Sequence, residues 1–578
     1  ESRGLGDVYK RQIMNGKIMK MENGLMNQDE MLERLSKDYL KVNFESSPSL
    51  ATFMGIHDYD GEMAEGTPES VEDFIKKRKK FYTDVKALDP QKMSFDAAIS
   101  REALLNVLAT EMFEDEAHPR YRSKPEVSLE IADALHPLFV NEFAPFEERL
   151  KSITSRIEKV PRYLENTKKL LTDPVSIWVE MGMEECESVI SFIDIIRQTA
   201  KDKNINSSLM RRLNDAGDKA TESLRSYKEW LRTKLLPESR QSFTMKPEDY
   251  DKIIEMRCLS MNSDQLLQFG REMLEYSKEL QRELASKISP GSTIEEVKKM
   301  LHAKHPSSFN EALKFTAKVV EDSRRFCYEN DIVTMPPSES LIVEETPEFA
   351  RNLIPFGAYL PPGKFDHMQI GRYWLSRPLV DNGQSLSMHN YGSILNCTIH
   401  EGYPGHHLQQ ACANLNNSTA RLFTEGIEYI EGWAHYCEEL MDSYGFSEDP
   451  AMKFEHVKDL IWRSVRVILD VQVSRGELNI KEAVDMLQNE VGYDRVSCIT
   501  EIKWLTFNPG YQLSYLTGKK LIKDLLDEVK LKTKEKFSLK KFHDSMLYAG
   551  NLPMKQMAKV VKMKCGAQDQ GSPERIEV

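Results

Sequence analysis

The stretch TIHEGYPGHHLQQ, residues 398–410, gathers His400, Glu401, His406 and His407. Imidazole nitrogens are common metal ligands, and a carboxylate beside one can take a proton from a water that the metal activates. The spacing is not that of the helical His-Glu-x-x-His pattern, because the fourth residue after His400 is Pro404. On a straight α-helix, His406 would sit about 240° round from His400 and about 9 Å further along. His407 would share the face but lie about 10.5 Å away. Two nitrogens on one zinc ion are only ~3–3.5 Å apart, so an unbroken helix cannot pair either of them with His400. Pro404 removes a backbone donor and clashes with the preceding turn, and Gly405 admits conformations that a helix forbids. A break there can fold the chain back on itself. Spacing leaves both His406 and His407 open as the second ligand, and packing histidines would give the same cluster.

A catalytic zinc site takes three protein ligands and keeps one position open. The segment RLFTEGIEYIEGWAHYCEELM offers Glu425, Glu428, Glu431, His435, Glu438 and Glu439. Glu431, His435 and Glu438 fall on one helical face, and Gly432 allows that helix to approach another closely. Most acids on an amphipathic helix are simply solvated, so spacing alone does not choose among them.

HEGYPGHHLQ followed by EGWAHYCEEL resembles the family called domain of unknown function eight-eight-five, which is grouped with the gluzincin metallopeptidases. TPEFAR at 346–351, GRYWLSRP at 371–378 and NPGYQLSYLTG at 508–518 extend the likeness over roughly residues 340–530. The resemblance implies zinc as cofactor, His400 and Glu431 as ligands, and Glu401 as general base. Oligopeptidase-type gluzincins carry H-E-F-G-H-x-L. Their Gly-His and following leucine match Gly405, His406 and Leu408, which implies His406 as the second ligand. His407 and His435 then stand as alternate ligands or supporting groups. The family often has a histidine near position 474, where this chain has Ser474.

Further site candidates come from neighbouring motifs. Tyr515, in the family's S-Y, is a candidate oxyanion donor, and Tyr511 a candidate substrate contact. Arg372 and Arg377 can fork a substrate carboxylate. Arg463 and Arg466 have the same capacity, and all four can equally be ordinary surface arginines. By resemblance, the GRYWL backbone would pair with an extended peptide by strand addition.

These residues need a scaffold. From about Asp29 to Asn330 the chain reads as successive helices. DEMLERLSKDYLKV has a helical apolar stripe, and SVEDFIKKRKKFYTDVKAL and TIEEVKKMLHAKH open with start signals. A long helix is expected from about Ser308 to Tyr328. SLIVEETP, FGAYLPPG and IGRYWLSRPL, between about Ser340 and Leu379, read as short strands. Helices resume at about Tyr391. The expectation is a mainly α, large multi-helix protein with a deep cleft between two helical halves and one small β-sheet next to the zinc-binding helices. The division expected is a tail at 1–26, whose first twelve residues match no pattern in the rest of the chain and resemble translated adapter sequence, a helical half at 27–330, a zinc-binding catalytic half at 331–565 and a polar tail at 566–578.

Composition narrows the function. The 578 residues carry 40% hydrophobic and 29% charged residues, which is globular. A net charge of −13 disfavours nucleic acid and anionic membranes as partners. None of the eight cysteines forms a C-x-x-C pair, and no apolar run has membrane-spanning length, so a cytoplasmic protein is expected. Together these point to a zinc-dependent metallopeptidase acting on peptides. Two alternatives are a metal-dependent hydrolase of a non-peptide amide or ester, and a non-catalytic helical binding protein with a relic site.

Overall fold

The computed structural model describes residues 27–347, 351, 354, 357–378 and 386–568. The tail 1–26, most of the polar tail, part of TPEFAR and Leu379 lie outside the described residues.

The protein is mainly helical, with one three-stranded sheet. Compactness groups the residues differently from chain order. One unit holds residues up to Lys92, Glu111–Phe243 and Gly363–His367, and the other holds Met93–Thr110, Thr244–Pro362 and Met368 onward.

In the first unit, Gln28–Ser46 begins at Asn27, whose side chain accepts from Glu30 N while Glu30 reaches back to the Asn27 backbone. The SVEDF helix starts earlier than its serine suggests, at Pro68. Thr67 caps it, and Ser70 closes the reciprocal bond. Phe146–Thr167, Ser176–Asp202 and Ser207–Trp230 bury Ile153, Ile157, Trp178, Val189, Leu213 and Leu224. Burial of such side chains is worth roughly 1.5–3 kcal/mol each.

The second unit carries the sheet and the histidine cluster. The elements that form or support the cluster begin with α1 (Ser263–Ile288), α2 (Phe309–Glu329), β1 (Glu339–Glu345), β2 (Gly357–Leu360) and β3 (Gln369–Leu375). After them come α3 (Tyr391–Glu401), α4 (His406–Ala413), α5 (Ile427–Ser443), α6 (Pro450–Ser474) and α7 (Ser514–Thr533). Ser308 caps α2, and Thr293 and Glu296 form a capping box on Ile294–His302. The helix α6 is buried along almost its whole length, with α1 packed beside it. The core on α5 comprises Tyr429, Trp433, Cys437 and Met441, packed with Ile399, Leu408 and Ile522.

The sheet order is β1-β3-β2, with β1 parallel and β2 antiparallel to β3. GRYWL is therefore the central strand. Arg372 to Leu375 pair with β1 on one side and β2 on the other. This corrects the strand-addition expectation: the backbone over those residues is already hydrogen-bonded on both sides and cannot receive a substrate strand.

Candidate metal centre

Asn390 caps α3, its side chain accepting from Ser393 N at 2.9 Å, and the helix ends at Glu401. The chain then turns through Gly402–Gly405, with a cis bond at Tyr403–Pro404, and α4 begins at His406. The turn is tight. Gly405 N donates to Ile399 O at 3.1 Å, and a Cβ at Gly405 would lie 1.9 Å from His400 O. Only glycine fits there, and the bare backbone lets the start of α4 rest against the last turn of α3. As a result the His400 and His406 rings meet edge to face, centroids 4.8 Å apart.

The third group comes from α5. Glu431 Oε2 is 3.4 Å from His406 Nε2, and one donor atom from each of His400, His406 and Glu431 lies within 4.8 Å of the others. The helix α5 is fixed against α7 by a backbone crossing. A Cβ on Gly432 would lie 2.4 Å from Gly518 C, and one on Gly518 would lie 1.9 Å from Glu428 O.

Two of the donors are oriented from behind. His400 Nδ1 is 2.8 Å from Glu438 Oε1. A carboxylate can only accept there, so Nδ1 carries a hydrogen, which leaves Nε2 as the nitrogen that can offer a lone pair. Glu438 is wholly buried. It also accepts from His456 Nδ1 at 2.9 Å and from Asn396 Nδ2 at 3.1 Å. Burial opposes its charge, but the surrounding His435, His400 and His456 hold it well below the usual carboxylate range. Glu431 is treated alike. Burial raises its pKa, yet His406 and then the Tyr511 hydroxyl, which donates to Oε1 at 2.7 Å, bring it down to about 2. His406 answers in the opposite sense: burial lowers it, and Glu431 lifts it to about 9. The two shifts run in the senses of an ion pair, and a cation seated there would stand in place of the His406 proton.

The neighbouring histidines lie elsewhere. His407 is fully buried with both ring nitrogens engaged, Nε2 with Glu339 Oε2 at 2.8 Å and Nδ1 with the Tyr359 hydroxyl at 3.2 Å. Glu339 also takes Tyr403 Oη and, at 2.8 Å, Arg324 Nε, so His407 ties α4 to β1. His435, with Glu438 and His456, makes a second cluster of possible ligand atoms. There His456 is committed to Glu438 and lies 3.4 Å from the Lys519 ammonium, a cation that opposes a metal at that point.

Glu401 and Tyr515 share a cavity of about 480 Å³ with His400, Arg463 and Arg466. The Glu401 carboxylate accepts no hydrogen bond and forms no ion pair among the described residues. Tyr515 stacks on His400, centroids 6.4 Å apart and planes 16° apart. Arg372 pairs with Glu344, and Arg377 forks Glu345 through Nε and Nη2, both at 2.9 Å. Both arginines are thus bound to acids of β1. Ser474 closes α6, does not line the cavity, and is about 16 Å along the helix from Arg463.

Sequence reasoning named Glu438 only as a rival ligand and did not single out Glu339 or His456. Glu438 and Glu339 meet His400 and His407 across 38 and 68 positions, and His456 meets Glu438 from a separate helix, so no local pattern signals them. Two imidazoles and a carboxylate are a donor set that suits zinc, and the convergence of all three buried or nearly buried groups on one point fits it.

Among the described residues no helix is long and apolar enough to cross a membrane. No curated protein matches the chain. Solved structures share the fold, among them the following two. One, described as "a putative lipoprotein of unknown function" from Shewanella oneidensis, is 21% identical, covers 91% of this chain and 98% of its own, and has a TM-score of 0.75. The other, described as "the putative lipoprotein" from Colwellia psychrerythraea, is 17% identical, covers 94% and 100%, and has a TM-score of 0.81. The profile described as "Bacterial protein of unknown function (DUF885)" matches residues 48–561, and the chain belongs to that family.

Proposed function

We propose that the protein is a zinc-dependent hydrolase of peptide bonds, with His400, His406 and Glu431 as the metal ligands and Glu401 as general base. The observation that carries this reading is the meeting of three donor groups within 4.8 Å beside a cavity whose wall holds an unengaged carboxylate, one residue from His400. A zinc ion held by these residues would polarise a carbonyl and make a water more acidic. Glu401 would serve as the base for such a water and return the proton to the leaving amine. Glu438 and Tyr511 hold His400 and Glu431 in place, and Tyr515 offers a hydroxyl to the developing oxyanion. The same donor set is the one that the gluzincin resemblance implies. Cysteine usage keeps the cytoplasm in the proposal, while the description of the two structural neighbours as lipoproteins favours an address outside it. Cell fractionation decides between them.

The test is zinc content by mass spectrometry, followed by digestion of a peptide mixture with the zinc-loaded protein and with Glu401→Gln. About one zinc per chain and cleavage lost by roughly 10²–10⁴-fold in the variant are expected. A folded protein that takes up no zinc overturns the reading. One that binds zinc and cleaves no peptide moves the function to other amides or esters.

A further inference from the structure

We infer that Arg463 and Arg466 form the receptor for a free carboxylate beside the candidate metal centre, so that the substrates are peptides with an unblocked C-terminus. This rests on the peptidase reading above and narrows it to removal of a short C-terminal piece.

The two arginines are three residues apart on α6 and line the same cavity as His400, Glu401 and Tyr515. Arg463 is 5% exposed, yet its Nε and Nη1 make no hydrogen bond, although Nη1 lies 3.1 Å from Asp459 Oδ1. Its Nη2 is 3.9 Å from Glu438. Asp459 and Glu438 hold this guanidinium in place, and it adds positive charge to the cavity wall beside Arg466.

Arg466 is held from the rear. Its Nε donates to Glu501 Oε1 at 2.7 Å, and Trp462 Nε1 braces the same carboxylate at 2.9 Å. Its two terminal nitrogens make no hydrogen bond among the described residues, and the residue lines the cavity. Both guanidinium groups also rest on aromatic rings. Arg466 lies 3.8 Å from the Trp462 centroid and 4.9 Å from that of Tyr515, and Arg463 lies 4.4 and 5.6 Å from the same two. Such stacking fixes the planes before a ligand arrives. Arg372 and Arg377 pair with β1 acids and do not line this cavity, whereas Arg463 and Arg466 both line it.

Position supplies the rest. The Tyr515 ring lies under Arg466 and is stacked on His400, so one aromatic ring separates the carboxylate receptor from the candidate metal ligand. One extended residue spans about 3.5 Å. A carboxylate on the arginines therefore sets a bond one or two residues upstream near Glu401. In the reaction that peptide C–N bond breaks, the water's hydroxyl joins the acyl carbon, and its proton goes to the released amine.

The probes are acetyl-Ala-Ala-Ala-Ala-Phe as free acid and as C-terminal amide. Calorimetric titration uses zinc-loaded Glu401→Gln, which holds peptides without turning them over. The acid is expected to bind about 10–100-fold tighter than the amide. Adding Arg466→Gln, or Arg463→Gln as the second variant, should bring the acid down to the amide's affinity and leave the amide unchanged, in protein whose melting shows it folded. Equal binding of acid and amide, or binding of neither, overturns the proposal. Digestion with the wild-type protein reads the parent proposal separately. Cleavage of both probes at internal bonds keeps the peptidase and removes the carboxylate receptor. Preferential binding of the acid without cleavage keeps the receptor and removes the peptidase.

Discussion

His400 and Glu438 are joined across 38 residues by a 2.8 Å hydrogen bond from Nδ1 to a carboxylate that never meets solvent. The bond sets which nitrogen His400 offers to the centre. Glu438→Gln keeps the shape and removes the charge. Zinc affinity should fall about 10–100-fold, the usual cost of losing a group that orients a metal-binding histidine. Competition with a chromophoric chelator measures it, and unchanged affinity would show that His400 holds its orientation by packing alone.

His406→Ala and His407→Ala should fail in different ways. The first removes a donor from the centre and the ion-pair partner of Glu431, so zinc uptake should drop sharply, with some loss of thermal stability. The second leaves the buried Glu339 carboxylate without its α4 partner. Tyr403 and Arg324 still serve that carboxylate, but a lost hydrogen bond to a charged group costs about 1.5–3 kcal/mol, so the melting temperature should fall while zinc uptake is affected less. If the two variants exchange phenotypes, His407 is the ligand.

The two tyrosines separate by the same logic. Tyr511 donates to Glu431, so Tyr511→Phe should weaken zinc binding. Tyr515 makes no hydrogen bond among the described residues and lines the cavity. Tyr515→Phe should lower kcat about 10²–10³-fold, with KM and zinc content near wild type. Normal turnover in Tyr515→Phe would leave the oxyanion to another group.

Acid sensitivity should trace partly to His543. Its Nδ1 donates to Ile332 O at 2.8 Å, and its Nε2 accepts from the Tyr436 hydroxyl at 3.0 Å. Burial pushes its pKa down to about 4. A histidine whose folded pKa lies below its unfolded value of about 6.5 contributes stability that is complete above pH 6.5 and is lost as pH falls toward 4. The loss should approach about 3 kcal/mol at the lower end. Urea unfolding at stepped pH measures it, and His543→Asn should flatten the slope between pH 6.5 and 4.

Much of the fold and of the centre was legible in the chain itself. The helix break at Pro404-Gly405 follows from backbone chemistry, and the three strands from β-branched runs bounded by Pro and Gly. Local patterns carry such information because their causes are local. The order of the strands is another matter: β1 and β3 pair across 30 positions, so nothing in GRYWL says that it is the inner strand. Glu438 looks like any acid on an amphipathic helix, and only folding surrounds it with three imidazoles. Arg372 and Arg377 read as substrate groups because their acid partners, Glu344 and Glu345, lie about thirty residues upstream.

The crossing of Gly432 and Gly518 has a bearing on how mutational scans of this protein would look. Glu431 stands beside one glycine, and Tyr515 lies one turn before the other. A single methyl at either position must wedge α5 and α7 apart, because what it meets is backbone and cannot swing aside. Misplacement by about 1 Å is enough to cost about 10²-fold in rate. Activity would therefore vanish at two positions that have no side chain and touch no substrate. A map built from activity loss alone would score them as reactive groups, when what they supply is the spacing between two helices.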